Sequence, residues 1–209
     1  KMRRIAADEL EAGIDDIELS GGGAVVVGTD RRLDFAAIAA AAPAPEDRVA
    51  DGVFVQDEAT YPNGTHVVEI EIDPATGVLE LVRYTIVDDF GATVNPAMLA
   101  GQVHGGVAQG VGQALTENTV YDGEGQLLSA TFMDYAMPRA DLFPPIAFST
   151  RNVPSTTNAF GIKGAGEAGT IGAAPAVMNA IADALFRATG RADIDMPATP
   201  EKLWRALRA

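Results

Sequence analysis

A glycine-rich loop with one carboxylate reads Lys163-Gly164-Ala165-Gly166-Glu167-Ala168-Gly169-Thr170, and an apolar run over 171–188 follows it. The length and pattern of the run predict a helix. Glycines allow the loop backbone to adopt a positive φ and to approach another group closely. At the start of a helix, unpaired N–H groups and the positive end of the helix dipole face whatever lies opposite. The stretch therefore predicts a loop that binds an anionic group and holds one acid against it.

Glu167 also has a simpler interpretation. Lys163 is the only other charged residue within 161–176. An acid placed just before a helix stabilises that helix by roughly 0.3–1 kcal/mol through the dipole. Composition alone favours this helix-stabilising role over a ligand-facing one, so a second feature of the chain must decide between them.

The same loop matches the dinucleotide-binding pattern G-x-G-x-x-G literally, at Gly164, Gly166 and Gly169. That pattern requires a buried strand leading into the first glycine, whereas residues 158–163 contain a glycine and end in a charge. The residues after Thr170 are too few to complete a doubly wound sheet. No Gly-Lys-Ser/Thr sequence closes the loop, so a Walker-type phosphate loop is excluded as well.

Composition narrows the function classes further. The 209 residues are 47% hydrophobic and 21% charged, which is typical of a globular protein. A net charge of -14 argues against nucleic acid or an anionic membrane as partner. The sequence has no cysteine, which excludes disulfides and iron–sulfur clusters held by this chain alone. Its two histidines, His66 and His104, are too far apart in sequence to suggest a histidine metal site, and no apolar run is long enough to predict a transmembrane span.

The first 48 residues form a predicted segment of their own. It consists of a helix over 2–10, a hairpin with strands over 16–19 and 24–27, and a helix over 33–42 with Asp34 as N-cap. A proline-rich linker over 43–47 places the domain boundary at 48/49. Because the chain begins in a helical pattern with no signal region, we expect it to be part of a longer cytoplasmic polypeptide.

Residues 49–209 predict strands mixed with helices, an α+β fold with antiparallel or mixed sheets. Strand pairs are expected over 65–73 with 78–87 and over 119–121 with 127–133, and a single strand over 146–150. On this pattern His66 is interpreted as a strand surface residue rather than a ligand. Near the end, Thr199 and a following proline predict the start of a short helix in which Trp204 serves as a packing anchor.

The predicted helix over 98–117 carries an unusual number of glycines: Gly101, Gly105, Gly106, Gly110 and Gly112. Each costs a helix interior about 1 kcal/mol relative to alanine, so a packing or binding reason is expected. Gln102 and Gln109 lie seven residues apart on one face. They could hydrogen-bond a polar heterocycle, or the helix could cross another helix tightly with its glutamines towards solvent. Both alternatives fit the helix taken alone.

Several ordered motifs between about residues 53 and 207 resemble one known family, the molybdenum hydroxylases. They are Val87-Asp88-Asp89-Phe90-Gly91, Asn95-Pro96, Gly101-Gln102-Val103-His104-Gly105-Gly106-Val107-Ala108-Gln109-Gly110, Phe132-Met133-Asp134-Tyr135 and the loop at 163–170. The chain resembles the C-terminal part of the large, molybdopterin-binding subunit of xanthine dehydrogenase, aldehyde oxidoreductase and carbon monoxide dehydrogenase. The resemblance implies a molybdopterin-binding domain of that type.

The resemblance also implies roles for single residues. Glu167 matches the family's catalytic glutamate, a general base that takes a proton as water-derived oxygen attacks an electron-poor carbon. The backbone of 163–166 matches the loop that lies against the cofactor, and Gln102 matches a glutamine that hydrogen-bonds the pterin. The implied cofactor-binding residues are Gln102, His104, Gln109, Lys163, Gly164, Ala165 and Gly166, with no metal-ligating side chain. The implied cofactor is molybdenum-molybdopterin in its cytosine dinucleotide form.

The resemblance implies partners as well. They are the remaining part of the large subunit, an iron–sulfur subunit with 2Fe-2S clusters and a flavin subunit with FAD, in a dimer of such heteromers. We expect that this chain alone neither holds molybdenum nor turns over. The substrate class stays open among aromatic N-heterocycles, aldehydes, purines and carbon monoxide. A rival hypothesis is a degenerate, non-catalytic domain kept for assembly or partner binding.

Overall fold

A computed structural model describes residues 1–56 and 58–208 of the chain. The chain divides into two compact units, Lys1–Val55 and Gln56–Ala209. The boundary at 48/49 that the sequence suggests stays a prediction.

The first unit packs two helices with a small antiparallel sheet. Its elements are α1 (Met2–Glu9), β1 (Ile17–Ser20), β2 (Gly23–Val26), β3 (Arg32–Asp34) and α2 (Phe35–Ala41), with the strands in the order β1-β2-β3. The predicted helices and hairpin are confirmed. Asp34 is the N-cap of α2, as predicted, and its side chain accepts a hydrogen bond of 2.7 Å from the Ala37 N–H. The sequence pattern missed β3, which is only three residues long.

The second unit places helices against a three-stranded mixed sheet. The strands are β4 (Asn63–Ile72), β5 (Leu79–Asp89) and β6 (Ile146–Thr150), and the helices are α3 (Pro96–Leu115), α4 (Ala168–Thr189) and α5 (Pro200–Ala206). β4 and β5 are antiparallel, and β6 runs parallel to β5. This arrangement confirms the α+β prediction.

Buried and exposed side chains alternate along β4 and along part of β5, so one face of the sheet packs on the core. Val68, Ile70 and Ile72 pack towards the core from β4, because successive side chains of a strand point to opposite faces. In β5 the buried residues include Tyr84 and Ile86. The connection between the strands turns at Gly77, whose φ of 74° suits a residue without a Cβ.

The two long helices pack against each other through small and branched residues. On α4 the buried positions recur every fourth residue, at Gly169, Ala173, Val177, Ile181 and Leu185. This spacing keeps one stripe of the helix facing its neighbour. On α3 the fully buried residues include Val103, Val107 and Val111. The short helix α5 begins as predicted, with Thr199 as its N-cap.

The predicted hairpin over 119–133 is wrong in extent. The turn at 122–125 forms, but the flanking residues pair only through a single bridge between Tyr121 and Leu127. Beyond this bridge the strand pairing does not continue, because the Val120 N–H donates to the Ser129 hydroxyl instead of to a backbone carbonyl. The exposed segment up to β6 therefore follows an irregular path.

Among the described residues, α4 alone is long and apolar enough to cross a membrane by length and composition. Helices in the core of a soluble protein pass the same test. In this chain α4 packs against α3 and β4, so its apolar composition is accounted for by that packing.

Candidate active site

The glycine-rich loop lies between the sheet and the first turn of α4. Its first residue, Lys163, is fixed to the end of β5, because its N–H donates 2.9 Å to the Phe90 carbonyl. Beyond Lys163, Gly164, Gly166 and Glu167 are exposed. The Gly164 N–H reaches the Thr60 hydroxyl at 3.4 Å, and Ala165 packs partly against the core. The loop is therefore anchored at its start and open along its middle.

Glu167 occupies the N-cap position of α4, but its side chain makes no capping hydrogen bond. Glu167 thus lacks the hydrogen bond that usually accompanies an N-cap residue, and its stabilisation of the helix through the dipole stays a prediction. Lys163, the only other charged residue near it in sequence, is not turned towards Glu167. Its ammonium is paired with Asp89 instead.

Asp89 is the centre of the hydrogen-bond network at the base of the loop. Its Oδ1 accepts from the Gly91 and Val153 N–H groups, each at 2.9 Å. Its Oδ2 accepts from Lys163 Nζ at 2.5 Å and from Asn63 Nδ2 at 3.4 Å. Burial by itself raises the pKa of Asp89, but the bonds from Lys163, Val153 and Gly91 outweigh it and hold the pKa at about 2.

The start of α4 crosses the middle of α3 at two glycines. A Cβ on Gly169 would lie 3.0 Å from the Gly106 Cα and 2.9 Å from the Val107 nitrogen. A Cβ on Gly106 would in turn lie 2.9 Å from the Thr170 nitrogen. The crossing therefore requires both glycines, and it brings the loop that ends at Glu167 alongside α3.

Gly101 and Gly105 of α3 have no such packing reason. A Cβ on Gly101 or Gly105 would meet nothing within 4 Å. The same side of the helix exposes Gln102 and Gln109. Tight crossing of another helix therefore explains the glycines of one face, and binding of a polar heterocycle on the other face stays a prediction. One face crosses α4 tightly, and the other is open, flat and lined with amides.

Thr170 links that open face to the loop. Its hydroxyl lies 2.9 Å from Gln109 Oε1 and 3.0 Å from the Gly106 carbonyl. Gln109 is thereby held beside the first turn of α4, three residues after Glu167 in sequence. The loop and the glutamine face of α3 belong to one local arrangement.

His104 does not join this arrangement. It lies two residues from Gln102, which places it about 200° around the helix from that side chain. Its ring packs edge-on against Phe148 of β6, with 6.3 Å between ring centroids. The geometry thus separates His104 from the other predicted residues of α3.

A second polar cluster, which the sequence interpretation missed, lies behind the loop. His66 was expected on the strand surface, and this expectation is wrong, since its side chain is only 5% exposed. Its Nδ1 pairs with the Tyr84 hydroxyl at 2.9 Å, and its Nε2 lies 3.8 Å from Asp88 Oδ1. The alternation of β4 was the available signal, because His66 shares a face with Val68 and Ile70.

Asp88 is the most constrained member of that cluster. Its Oδ2 is buried and has no hydrogen-bond partner among the described residues. Burial raises the pKa of Asp88 to about 6, and burial also lowers the pKa of His66. A cavity of about 120 Å³ borders both residues and reaches Ala168 at the start of α4. The described residues contain no group of three or more His, Asp or Glu side chains placed to hold a metal ion.

A larger cavity of about 760 Å³ lies along the irregular segment before β6, lined by residues that include Phe132, Met133, Tyr135 and Leu142. Phe132 is 85% exposed and Met133 is 93% exposed. Two such side chains in succession make this an apolar surface.

Comparison with known proteins identifies the family of the chain. Residues 1–144 match the sequence profile of the molybdopterin cofactor-binding domain. The chain belongs to this family.

Relatives of the chain include molybdenum hydroxylase subunits. It is 39% identical to the 6-hydroxypseudooxynicotine dehydrogenase complex subunit gamma of Paenarthrobacter nicotinovorans, over 98% of the chain and 27% of that protein. It is 37% identical to the nicotine 6-hydroxylase large subunit of the same organism, over 100% of the chain and 27% of that protein. The crystal structure of a Cu,Mo-CO dehydrogenase in its carbon monoxide reduced state superposes with a TM-score of 0.88 at 30% identity, over 98% of this chain and 26% of that one. The chain thus spans about a quarter of the length of the relatives that it matches.

The family membership confirms the resemblance stated from the ordered motifs. It also states which kind of domain the described elements form. The open face of α3 and the loop before α4 belong to a molybdopterin cofactor-binding domain of the molybdenum hydroxylases.

Proposed function

We propose that this chain supplies the catalytic base and one wall of the molybdopterin site in a molybdenum-dependent hydroxylase. The base is Glu167. The observation that supports this most directly is the position of its carboxylate, exposed at the end of an open glycine loop beside the amide face of α3 and without a capping hydrogen bond.

The residues present suit a flat, polar cofactor. Gly101 and Gly105 on α3, and Gly164 and Gly166 in the loop, all leave open space where a Cβ would stand. Such positions allow a ring system to approach the backbone closely. A helix that carries glycines without a packing partner loses stability, so a ligand on that face gives the missing reason.

The predicted site residues other than His104 then have roles in holding the cofactor. The exposed amide of Gln102 would hydrogen-bond the pterin, and Gln109 would flank it from a position held by Thr170. The backbone of Lys163, Gly164, Ala165 and Gly166 would line the opposite side. His104 lies on another face of α3, against Phe148, so its contact with the cofactor stays a prediction.

Glu167 would take up a proton when water-derived oxygen is transferred to an electron-poor carbon. A carboxylate suits this task because it is an acceptor and can lie within hydrogen-bond reach of water. The bound cofactor would supply the redox chemistry by accepting the electrons that leave the substrate. The protein's part is to bind, to orient and to move the proton.

The rest of the assembly is part of the proposal. Relatives are named as a gamma subunit of a complex and as a large subunit, which supports a hetero-oligomer. We propose the rest of the large subunit, a 2Fe-2S subunit and an FAD subunit as partners in a cytoplasmic dimer of heteromers, with the cofactor in its cytosine dinucleotide form. The exposed apolar side chains of Phe132 and Met133 support coverage by further polypeptide.

The substrate class is also part of the proposal. Two relatives are named for nicotine and a nicotine derivative, which supports an electron-poor carbon of a heterocycle, with an aldehyde as the other class of substrate. The assembled enzyme would insert oxygen at that carbon.

Replacement of Glu167 tests the proposal. In the assembled enzyme, Glu167→Gln should lower the rate of substrate hydroxylation by about 100-fold or more, because general-base catalysis typically contributes 10²–10⁴-fold. Molybdenum and pterin content should stay unchanged. Glu124→Gln, in the exposed turn at 122–125, is the matched control. Full activity of Glu167→Gln with normal cofactor content would instead indicate a non-catalytic domain.

A further inference from the structure

We propose that the ion pair between Asp89 and Lys163 is a positioning device that sets the location of the Glu167 carboxylate. The inference rests on the proposed function, since it concerns how that base is held. It assigns to the Lys163 side chain a role in placing the loop rather than in contacting an anionic ligand.

The Asp89 carboxylate is held in one position by several hydrogen bonds. Its two carboxylate oxygens accept hydrogen bonds from four parts of the chain: the side chain of Asn63, the N–H groups of Gly91 and Val153, and the ammonium of Lys163. These donors belong to β4, to the residues after β5, to the segment after β6 and to the loop. A group tied to so many elements cannot move without disturbing the sheet.

The pair is also shielded from water. The Lys163 and Asp89 side chains are 12% and 9% exposed. On the same sheet, Arg83 and Glu69 form a surface pair whose side chains are 67% and 51% exposed. Surface pairs of that kind contribute little, whereas the loss of one partner of a buried pair leaves an uncompensated charge.

Lys163 is held by its main chain as well as by its side chain. Its N–H donates to the Phe90 carbonyl at 2.9 Å, and its ammonium reaches the neighbouring residue, Asp89. Two successive residues at the end of β5 therefore fix both the position and the orientation of the first loop residue.

The other end of the loop is fixed independently. Gly169 is locked against α3, where a Cβ would lie 2.9 Å from the Val107 nitrogen. Glu167 thus lies in a short span between an anchor at Lys163 and an anchor at Gly169. The span contains Gly164 and Gly166, which are exposed and where an added Cβ would meet nothing within 4 Å among the described residues. With two glycines between the anchors, the anchors themselves must determine where the carboxylate lies.

Release of the first anchor should therefore move the base without removing it. Misplacement of a catalytic group by about 1 Å can reduce a rate by about 10²-fold. The structure also gives the reason against direct ligation, because the ammonium that could neutralise an anion is already bound to a carboxylate.

The test uses the assembled enzyme with Lys163→Met, which keeps the length of the side chain and removes its charge. We expect kcat to fall about 10- to 100-fold with KM changed less than about threefold, and with molybdenum and pterin content unchanged. Hydrogen exchange of the amides of 164–167 should become faster. Lys163→Arg should restore kcat to within about fivefold, since it renews the pair with Asp89. Arg83→Met, which removes the exposed pair, is the matched control and should change neither readout.

Two results would overturn the inference. One is unchanged kcat and unchanged exchange of the loop in Lys163→Met. The other is a loss of cofactor in proportion to the loss of activity, which would make Lys163 a ligand. If Lys163→Met does not fold, the double variant Asp89→Asn/Lys163→Met leaves no unpaired charge and should show the same kcat and exchange effects. Glu167→Gln measured alongside separates the two proposals: if it retains activity, the proposed base is wrong, whatever Lys163→Met shows.

Discussion

Gly106 and Gly169 meet where α3 crosses α4, and a Cβ on Gly169 would lie 3.0 Å from the Gly106 Cα. This approach of two backbones sets the distance between the open face of α3 and the loop that carries Glu167. The two parts of the proposed cofactor site are thus joined by a contact that a methyl group would disrupt.

Gly169→Ala should destabilise the domain for that reason. Excess volume in a tight contact costs typically about 1–3 kcal/mol, and the neighbours here are mostly backbone atoms that cannot rotate away. Urea unfolding monitored by circular dichroism would measure the loss. Gly101→Ala is the control, because its Cβ would meet nothing within 4 Å, and it should raise stability by up to about 1 kcal/mol. Equal effects of the two substitutions would contradict the crossing.

A larger side chain at Gly105 should block the cofactor without harming the fold. A Cβ at Gly105 points into open space, so Gly105→Leu should fold normally. It should nevertheless lower the molybdenum and pterin content of the assembled enzyme by about tenfold or more, because the ring system could no longer approach the helix. Ala188→Leu, at an exposed position near the far end of α4, should keep full cofactor content. Normal content in Gly105→Leu would show that the cofactor binds elsewhere.

Thr170→Val should loosen Gln109. The substitution keeps the shape of the side chain and removes the hydroxyl that lies 2.9 Å from Gln109 Oε1. A hydrogen bond of this kind contributes about 0.5–1.5 kcal/mol, so a loss of that size in the free energy of unfolding is expected, with weaker retention of the cofactor during gel filtration. Thr170→Ser keeps the hydroxyl and should retain both properties. A Ser variant as impaired as the Val variant would point to packing of the methyl group instead.

Much of the fold could be predicted because its signals are local. Alternation identified β4 and β5, and the apolar period and the glycines identified α3 and α4. The Asp89–Lys163 pair could not be predicted in this way, since its members are 74 residues apart and meet only after the strands have paired. Neither residue type nor spacing links them. Their proximity is a property of the parallel β5–β6 pairing and of the loop that follows it.

Two predictions from the sequence were wrong, the surface position of His66 and the extent of the hairpin over 119–133. The polar character of His66 suggested a surface position, although alternation placed it with Val68 and Ile70 on the inner face. The strand pattern over 119–133 suggested a hairpin, although a side-chain acceptor, Ser129, replaced the backbone acceptor. For His66 the sequence contained the signal, whereas the contact between Val120 and Ser129 is contained only in the three-dimensional structure.

Asp88 makes the stability of the domain depend on pH in an unusual direction. Its carboxyl is buried beside His66 and Gly64 of β4, and burial raises its pKa from 3.8 to about 6. Below about pH 4 the group is protonated in both the folded and the unfolded chain. As pH rises through 6 the folded chain must hold a buried charge, while the unfolded chain has already ionised. Its contribution is therefore present at low pH and is lost as pH rises.

Asp88→Asn should remove this dependence, because an amide has the same shape and does not ionise in this range. Relative to the wild type, the variant should gain on the order of 1–2 kcal/mol in free energy of unfolding between about pH 4.5 and pH 7.5. His66 titrates with the opposite sign and is present in both proteins, so the difference between the two unfolding curves reports Asp88 together with its coupling to His66. Urea unfolding at several pH values would measure it. A difference that stays constant with pH, or that turns in favour of the wild type as pH rises, would show that Asp88 is ionised and paired in the folded protein.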